Sequence, residues 1–216
     1  MAQARTYSDG CSSAHALDLV GERWALLIIR DLLFGPKRFS DLRTGLPQAS
    51  ANVLSQRLRD LEDAGIIGHR KLPPPASAMV YELTEWGLQL EPILMGLQTW
   101  GAHSPSYTQD IPIGCDAAML ALKNFFGRSD RATLDAEIEI RFSTGAYRVR
   151  MHDGRLEIHR GSSDQAAAIV ETEPTTLEEV AFRMKSLQKA EKEGSLQVDG
   201  DRAAVVDFFD AFPVSS

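Results

Sequence analysis

Asn52, Gln56 and Arg59 lie in the stretch SANVLSQRLRDLEDAG, residues 50–65, at steps of four and three. On an α-helix each residue advances about 100°, so the three share one face. Asp63 continues that face and Ser55 borders it. Leu54, Leu58 and Leu61 fall on the opposite side, with Ala51 at its edge, and form a core face. The amides of Asn and Gln bond bidentately to adenine, and the guanidinium of Arg to guanine. One line of these residues suits the reading of base edges, although a polar helix face on its own is ordinarily just solvated.

Other reactive side chains form no comparable constellation. The five histidines, at 15, 69, 103, 152 and 159, lack metal-ligand spacing. No Ser, His and Asp set has a nucleophile-elbow setting, and no glycine loop resembles a phosphate cradle. The sequence therefore predicts no enzyme activity, no cofactor and no metal. Cys11 and Cys115 form no CxxC pair and no disulfide framework, which suits a reducing cytosol. Cys11 precedes a predicted helix over residues 13–19, where a thiol can have a lowered pKa. Trp24, Trp86 and Trp100 could line a ligand box, but packing is the default at such spacing.

The whole chain bounds these readings. Its 216 residues are 44% hydrophobic and 25% charged, enough apolar mass for a core. The net charge of −7 excludes a uniformly basic nucleic-acid binder but permits a basic patch. From Phe34 to Leu72, seven cations (Lys37, Arg38, Arg43, Arg57, Arg59, Arg70, Lys71) face four carboxylates, leaving +3. Arg38, Arg70 and Lys71 are placed to reach phosphates. The polar start and the short apolar run WALLII predict neither a signal peptide nor a membrane span, hence a cytoplasmic protein with no membrane partner.

Two periods divide the chain. Up to about His103 it is helical in rhythm, with one strand pair. Trp24, Leu27 and Ile28 mark a buried helix face, FGPK breaks it, and Phe39, Leu42 and Leu46 mark a second helix with Ser40 and Asp41 at its start and Pro47 at its end. Ser50 is an N-cap and Gly65 a stop for the helix between them. Two extended runs then flank a proline-rich tip, Leu72 to Ala76. Thr84 caps a last helix bearing Leu88, Leu90, Leu94, Leu97 and Trp100. The segment HSPSYTQDIPIG, His103 to Gly114, has linker composition, and the boundary is set there: residues 1–108 and 109–216.

In the second half a helix is predicted over residues 116–126. Three alternating runs follow, around Ile138–Phe142, Tyr147–Met151 and Leu156–Ile158, separated by Thr144-Gly145 and Asp153-Gly154. They predict an antiparallel meander with one wet face, on which acidic positions of one strand sit beside Arg positions of the next. Helices over 176–187 and 202–212 would cover the apolar face. Their Phe182, Met184, Leu187, Phe208, Phe209 and Phe212 would fill a core or line an adaptable pocket.

The stretch from ALDLVGERWALLIIRDLLFGPKRFS through DLEDAGII, with YELTEWGLQLEPIL after it, closely resembles the HxlR-type winged-helix transcriptional regulators, relatives of the MarR type. It covers roughly residues 11–103 in continuous register. The resemblance implies a homodimer, packed through its first and last helices, on double-stranded DNA with a palindromic operator. By position, the recognition helix starts at Ser50, with Asn52, Ser55, Gln56 and Arg59 near the bases. Leu94, Leu97 and Trp100 would sit at the dimer interface. Regulators of this type often carry a Cys at the place of Cys11, and some sense oxidants or electrophiles with it; the plainer reading is an inert thiol at the dimer seam. RVRMHDGRLEIHRG, TLEEVAFRMKSL and GSLQVDGDRAAVVDFFDAF resemble a sterol-carrier-protein-type domain, most tellingly over Gly194 to Asp201, where a short strand ends in Gly-Asp and Asp201 opens the terminal helix as an N-cap; the resemblance implies an apolar tunnel for a small hydrophobic effector. The expected fold is a mainly α winged helix-turn-helix domain plus an α+β sterol-carrier-like domain with an antiparallel-rich sheet. The expected function is a dimeric, effector-controlled regulator. The rivals are a thiol sensor acting through Cys11 and a hydrophobic-ligand carrier whose winged helix only dimerises.

Overall fold

Apolar spacing and local capping cut the first part of the chain into short helices. A computed structural model describes residues 6–74, 77–108, 111–126 and 135–212. Within it the chain forms two compact units, Met1–Gly96 and Leu97–Ser216.

The first unit runs α1 (Ser12–Val20), α2 (Ala25–Leu32), α3 (Phe39–Gly45), α4 (Ala51–Asp63), β1 (Ile67–Lys71), β2 (Met79–Leu83) and α5 (Glu85–Leu88), then enters α6 (Glu91–Ala102). Ile28, Ile29, Leu42, Leu54, Leu58 and Leu61 are its buried centre. The strands pair antiparallel, Ile67 opposite Leu83 and Lys71 opposite Met79. Lys37 adds a bridge to Tyr81, with N···O distances of 3.0 and 2.8 Å. Of the expected wing tip, Pro75 and Ala76 lie outside the described residues.

Two expectations need correction here. Trp24 is not on the buried face of α2; it stands before the helix in the left-handed region, φ 80°, with the Arg23 guanidinium 4.8 Å from its ring centre. Leu27 is 38% exposed, and Ile28 with Ile29 takes the core face instead. Nor is the last helix continuous. Thr84 caps only α5: its Oγ1 accepts from Gly87 N at 3.0 Å and donates to the Gly65 carbonyl at 2.8 Å. The chain then restarts as α6, with Pro92 in the first turn, where a missing N–H costs nothing.

The second unit contains α7 (Cys115–Phe125), β3 (Ala136–Phe142), β4 (Gly145–His152), β5 (Arg155–Arg160), β6 (Ala168–Thr172), α8 (Pro174–Ala181), α9 (Leu187–Glu193), β7 (Leu196–Gly200) and α10 (Arg202–Asp210). The meander is β3–β4–β5. The sheet extends to the order β5-β4-β3-β6-β7: β6, which was not expected, joins β3 in parallel, Ile138 opposite Ala168, and the short strand expected before Asp201 is β7, which closes antiparallel on β6. Inward positions alternate as the pattern required, Tyr147, Val149 and Met151 buried while Arg148, Arg150 and His152 are exposed. The α7 and α10 helices pack on the sheet.

Glu137 and Glu139 do stand opposite Arg150 and Arg148. Glu139, however, is 1% exposed, because the segment between β5 and β6 lays Ser163 over it. Its carboxylate accepts from Ser163 N at 2.8 Å and from Arg141 at 2.7 and 2.9 Å, so its partner is a neighbour on its own strand. The helix expected over 176–187 is two helices, broken where Arg183 adopts φ 63°. Asp201 caps α10 as the sequence indicates, accepting from Ala203 N at 2.9 Å and Ala204 N at 3.3 Å.

The division between units falls inside α6, ahead of the Pro/Ser segment (Gln109 and Asp110 lie outside the described residues). Its physical reason is the end of α6: Asn124 on α7 donates to Gln98 Oε1 at 3.2 Å and Thr99 Oγ1 at 3.0 Å, which ties residues after Gly96 to the second core.

Candidate nucleic-acid interface

The sequence of α4 builds a two-faced rod. Ser50 Oγ accepts from Val53 N at 3.3 Å and starts the helix. Leu54, Leu58 and Leu61 are 0–1% exposed, while Asn52, Gln56 and Arg59 are all exposed and Ser55 is half-buried. The exposed groups are bonded to one another. Arg59 Nη2 donates to Gln56 Oε1 at 2.8 Å, and Gln56 Nε2 donates to Asp60 Oδ1 at 2.7 Å. Asp60 also holds Arg57 at 3.0 Å. Val53, 39% exposed beside Asn52 and Gln56, is a surface residue of this face that sequence reasoning missed. Its place in the first turn, one step from Asn52, was the available signal.

The flanking cations differ in availability. Arg38 is exposed at the start of α3, where Asp41 accepts from its backbone N–H at 3.1 Å. Lys71 is exposed on β1. Arg70 is exposed too, but its Nε lies 2.9 and 2.8 Å from the two carboxylate oxygens of Glu82 on β2. Lys37, counted in the basic patch, is 6% exposed and sits 3.7 Å from buried Asp31, so it belongs to the core. His69 on β1 bonds Glu62 on α4, joining the strand pair to the recognition helix.

The three residues expected at a dimer seam separate. Trp100 is 76% and Leu97 44% exposed, with Ile93 at 54%, and they present an apolar face on α6. Leu94 is 6% exposed and lies in the core of its own chain. Cys11 is exposed just before α1, its Sγ 2.9 Å from Ser13 Oγ. Hydrogen bonds from the Ser13 side chain, then from the backbone at Ser13 and Ala14, hold its thiol below the usual range.

In the second unit the expected pocket residues also part. Phe208, Phe209 and Phe212 are buried, and Phe208 and Phe212 meet edge-to-face at 5.2 Å between ring centres. Phe182 packs on Phe212 at 6.2 Å. Phe208, Phe209 and Phe212 thus fill the core, with Phe182 half-buried beside them. Met184 is 52% exposed and stands outside it. Leu187 and Phe209 alone of the six line a cleft of about 330 Å³, with Val180, Val206 and Arg202 around them. Half-buried Glu178 on α8 has its carboxyl pushed up to about 7 by burial. Among the described residues, no group of three or more His, Cys, Asp or Glu side chains could hold a metal ion.

Helices α2, α3 and α4, the strand pair after them and the exposed polar face of α4 define a winged helix-turn-helix protein of the transcription-regulator class. Residues 19–108 match the family described as HxlR-like helix-turn-helix. The uncharacterized HTH-type transcriptional regulator YvaP of Bacillus subtilis (strain 168) is 37% identical over 94 residues, spanning 43% of this chain and 87% of that one. The HTH-type transcriptional regulator YodB of the same organism is 38% identical over 85 residues, 39% of this chain and 76% of that one. A solved structure, the reduced form of YodB from B. subtilis, is 33% identical with TM-score 0.41, covering 45% of this chain and 97% of that one. The chain belongs to the HxlR-like helix-turn-helix family of transcriptional regulators. Residues 129–215 match a second family, described as alkyl sulfatase C-terminal, and not one named for sterol carriers.

Proposed function

We propose that a homodimer of this chain binds a palindromic double-stranded operator, with α4 of each copy in the major groove. Residues 1–108 form the DNA-binding and dimerisation part and 109–216 the sensing part. Ser50, Asn52, Ser55, Gln56 and Arg59 approach the bases, while Arg38, Arg70 and Lys71 hold phosphates. The observation that carries this reading is the division of α4: its leucines are buried, and the amides and guanidinium opposite them are exposed between cations. The apolar face of Ile93, Leu97 and Trp100 supports dimerisation. The chain regulates rather than catalyses, in keeping with its relatives' names. A small hydrophobic effector would enter the cleft at Leu187 and Phe209, whose volume falls in the range of ligand sites. No helix among the described residues is long and apolar enough to cross a membrane.

The test is capture of genomic fragments by the purified full chain. One palindromic motif is expected, with half-sites about one helical turn apart. Gln56→Ala should weaken it by about 1–3 kcal/mol. Unchanged binding by that variant would remove α4 from the groove. Native mass spectrometry of the full chain tests the effector: no bound mass, and no thermal shift with fatty acids, sterols or aromatics, would leave the second unit as scaffold.

A second reading rests on the exposure of Cys11 and its lowered pKa. Peroxide would oxidise that thiolate to a sulfenic acid, itself reduced to water, and release DNA. Loss of release in Cys11→Ser but not in Cys115→Ser supports it; equal release in both ends it.

A further inference from the structure

Which bases α4 reads depends on the hydrogen-bonding capacity its residues have left. Gln56 Oε1 has two lone pairs, one taken by Arg59 at 2.8 Å. Its Nε2 has two N–H groups, one given to Asp60 at 2.7 Å. One acceptor and one donor remain on an amide anchored at both ends. That is the pair complementary to adenine N6 and N7. Arg59 gives one of its five N–H groups to this amide and so steadies it. Beside Gln56, one turn toward the helix start, stands the exposed methyl pair of Val53. In a major groove the base feature an apolar side chain recognises is the thymine methyl. Asn52, on the same first turn, is a second amide of adenine-reading type.

We infer that α4 reads an A·T-rich half-site: Gln56 takes an adenine, Val53 takes the methyl of a neighbouring thymine, and Arg59 is a positioning residue for Gln56 and not a guanine reader. This rests on the proposal that α4 enters the major groove.

The experiment uses the full chain and the duplex it selects from a random library. Each thymine of the half-site is replaced in turn by deoxyuridine, which lacks only the methyl, and each adenine by 7-deazaadenine, which lacks the N7 acceptor. At one position deoxyuridine should weaken wild type about fourfold, the value of one buried methyl, and should leave Val53→Ala unaffected. At an adjacent position 7-deazaadenine should weaken wild type about tenfold or more and leave Gln56→Ala unaffected. Arg59→Met should shrink the 7-deazaadenine penalty while the slope of log K against log salt stays unchanged; a phosphate contact would lower that slope by about one. A selected half-site with G·C pairs at these positions overturns the inference while leaving operator binding intact. So do equal deoxyuridine penalties in wild type and Val53→Ala. A chain that selects no sequence at all overturns both.

Discussion

Gln56 illustrates how a side chain's type can be read from sequence while its commitments cannot. Asn52, Gln56 and Arg59 were legible as an exposed line because Leu54, Leu58 and Leu61 fix the helix phase. The Arg59–Gln56–Asp60 chain was not, since it depends on rotamers that spacing leaves open. Arg70 is similar: its charge was visible, its pairing with Glu82 was not. That pair is exposed, so it adds little to stability. It does set a competitor against phosphate. Glu82→Gln should therefore tighten binding to all sequences and steepen the salt slope, with almost no change in Tm; titration at several salt concentrations checks it. Glu178 gives a second residue-scale prediction. Its folded carboxyl titrates near 7 against an ordinary 4.5. Below 4.5 both states are protonated and the group costs nothing. As pH rises to about 7, the unfolded state ionises first and stability falls. Glu178→Gln should thus match wild type near pH 4 and exceed it by about 1–2 kcal/mol above pH 7, discounting for the water that reaches this half-buried group. Denaturant melts across pH would show the divergence, and parallel curves would refute it.

Elements were legible where punctuation is local. Ser50, Thr84 and Asp201 each cap the helix they precede, because capping needs only a short side chain and the next turn. Breaks without Gly or Pro were missed: Arg183 ends α8 in a left-handed turn that no residue type announces. The strand β6 was missed because both of its partners, β3 in parallel and β7 antiparallel, lie far from it in sequence. The attachment of α7 also needed the fold. Asp116, 4% exposed in its first turn, accepts from Tyr147 Oη on β4 at 2.8 Å and pairs with Arg160 on β5. Arg160 in turn donates to Tyr147 Oη at 2.9 Å and lies over its ring. Burial, then the charge of Asp116, raises the Tyr147 hydroxyl above its usual range and keeps it a donor. Asp116→Ala would take the carboxylate away from the half-buried Arg160 guanidinium and from Tyr147 Oη. It should cost about 3–5 kcal/mol, against near-neutral effects for exposed Arg148→Ala. Chemical denaturation of the full chain decides; a cost under about 1 kcal/mol would mean the helix is held by packing alone.

At the scale of the molecule, the two-unit organisation was legible from the change of period. Its seam was not, because α6 serves both units and a helix shows no boundary in its own pattern. Assembly separates two kinds of apolar residue on that helix. Leu97→Asp and Trp100→Asp alter exposed positions and should give folded monomers that lose tight operator binding. Leu94→Asp places a carboxylate at a position 6% exposed and should unfold the first unit, not merely split a dimer. Sedimentation combined with circular dichroism distinguishes these outcomes. A folded, monomeric Leu94→Asp chain would overturn the assignment of that residue to the core.

The parallel register of β3 with β6 also orders events on the ribosome. The first unit is complete in sequence at Gly96, so its core can close while the remainder is still being translated. The β3 strand gains β4 as soon as the hairpin emerges, but its other edge stays open until Ala168 has been added opposite Ile138. During that interval the nascent chain exposes an unpaired edge with Ile138 and Ile140 beside it, the arrangement that invites pairing with a neighbouring chain. Ser163, which emerges after the hairpin and just before β6, binds Glu137 and Glu139 on that strand. The vulnerable moment in making this protein is therefore set by a crossover in its second unit and not by the unit that reads DNA.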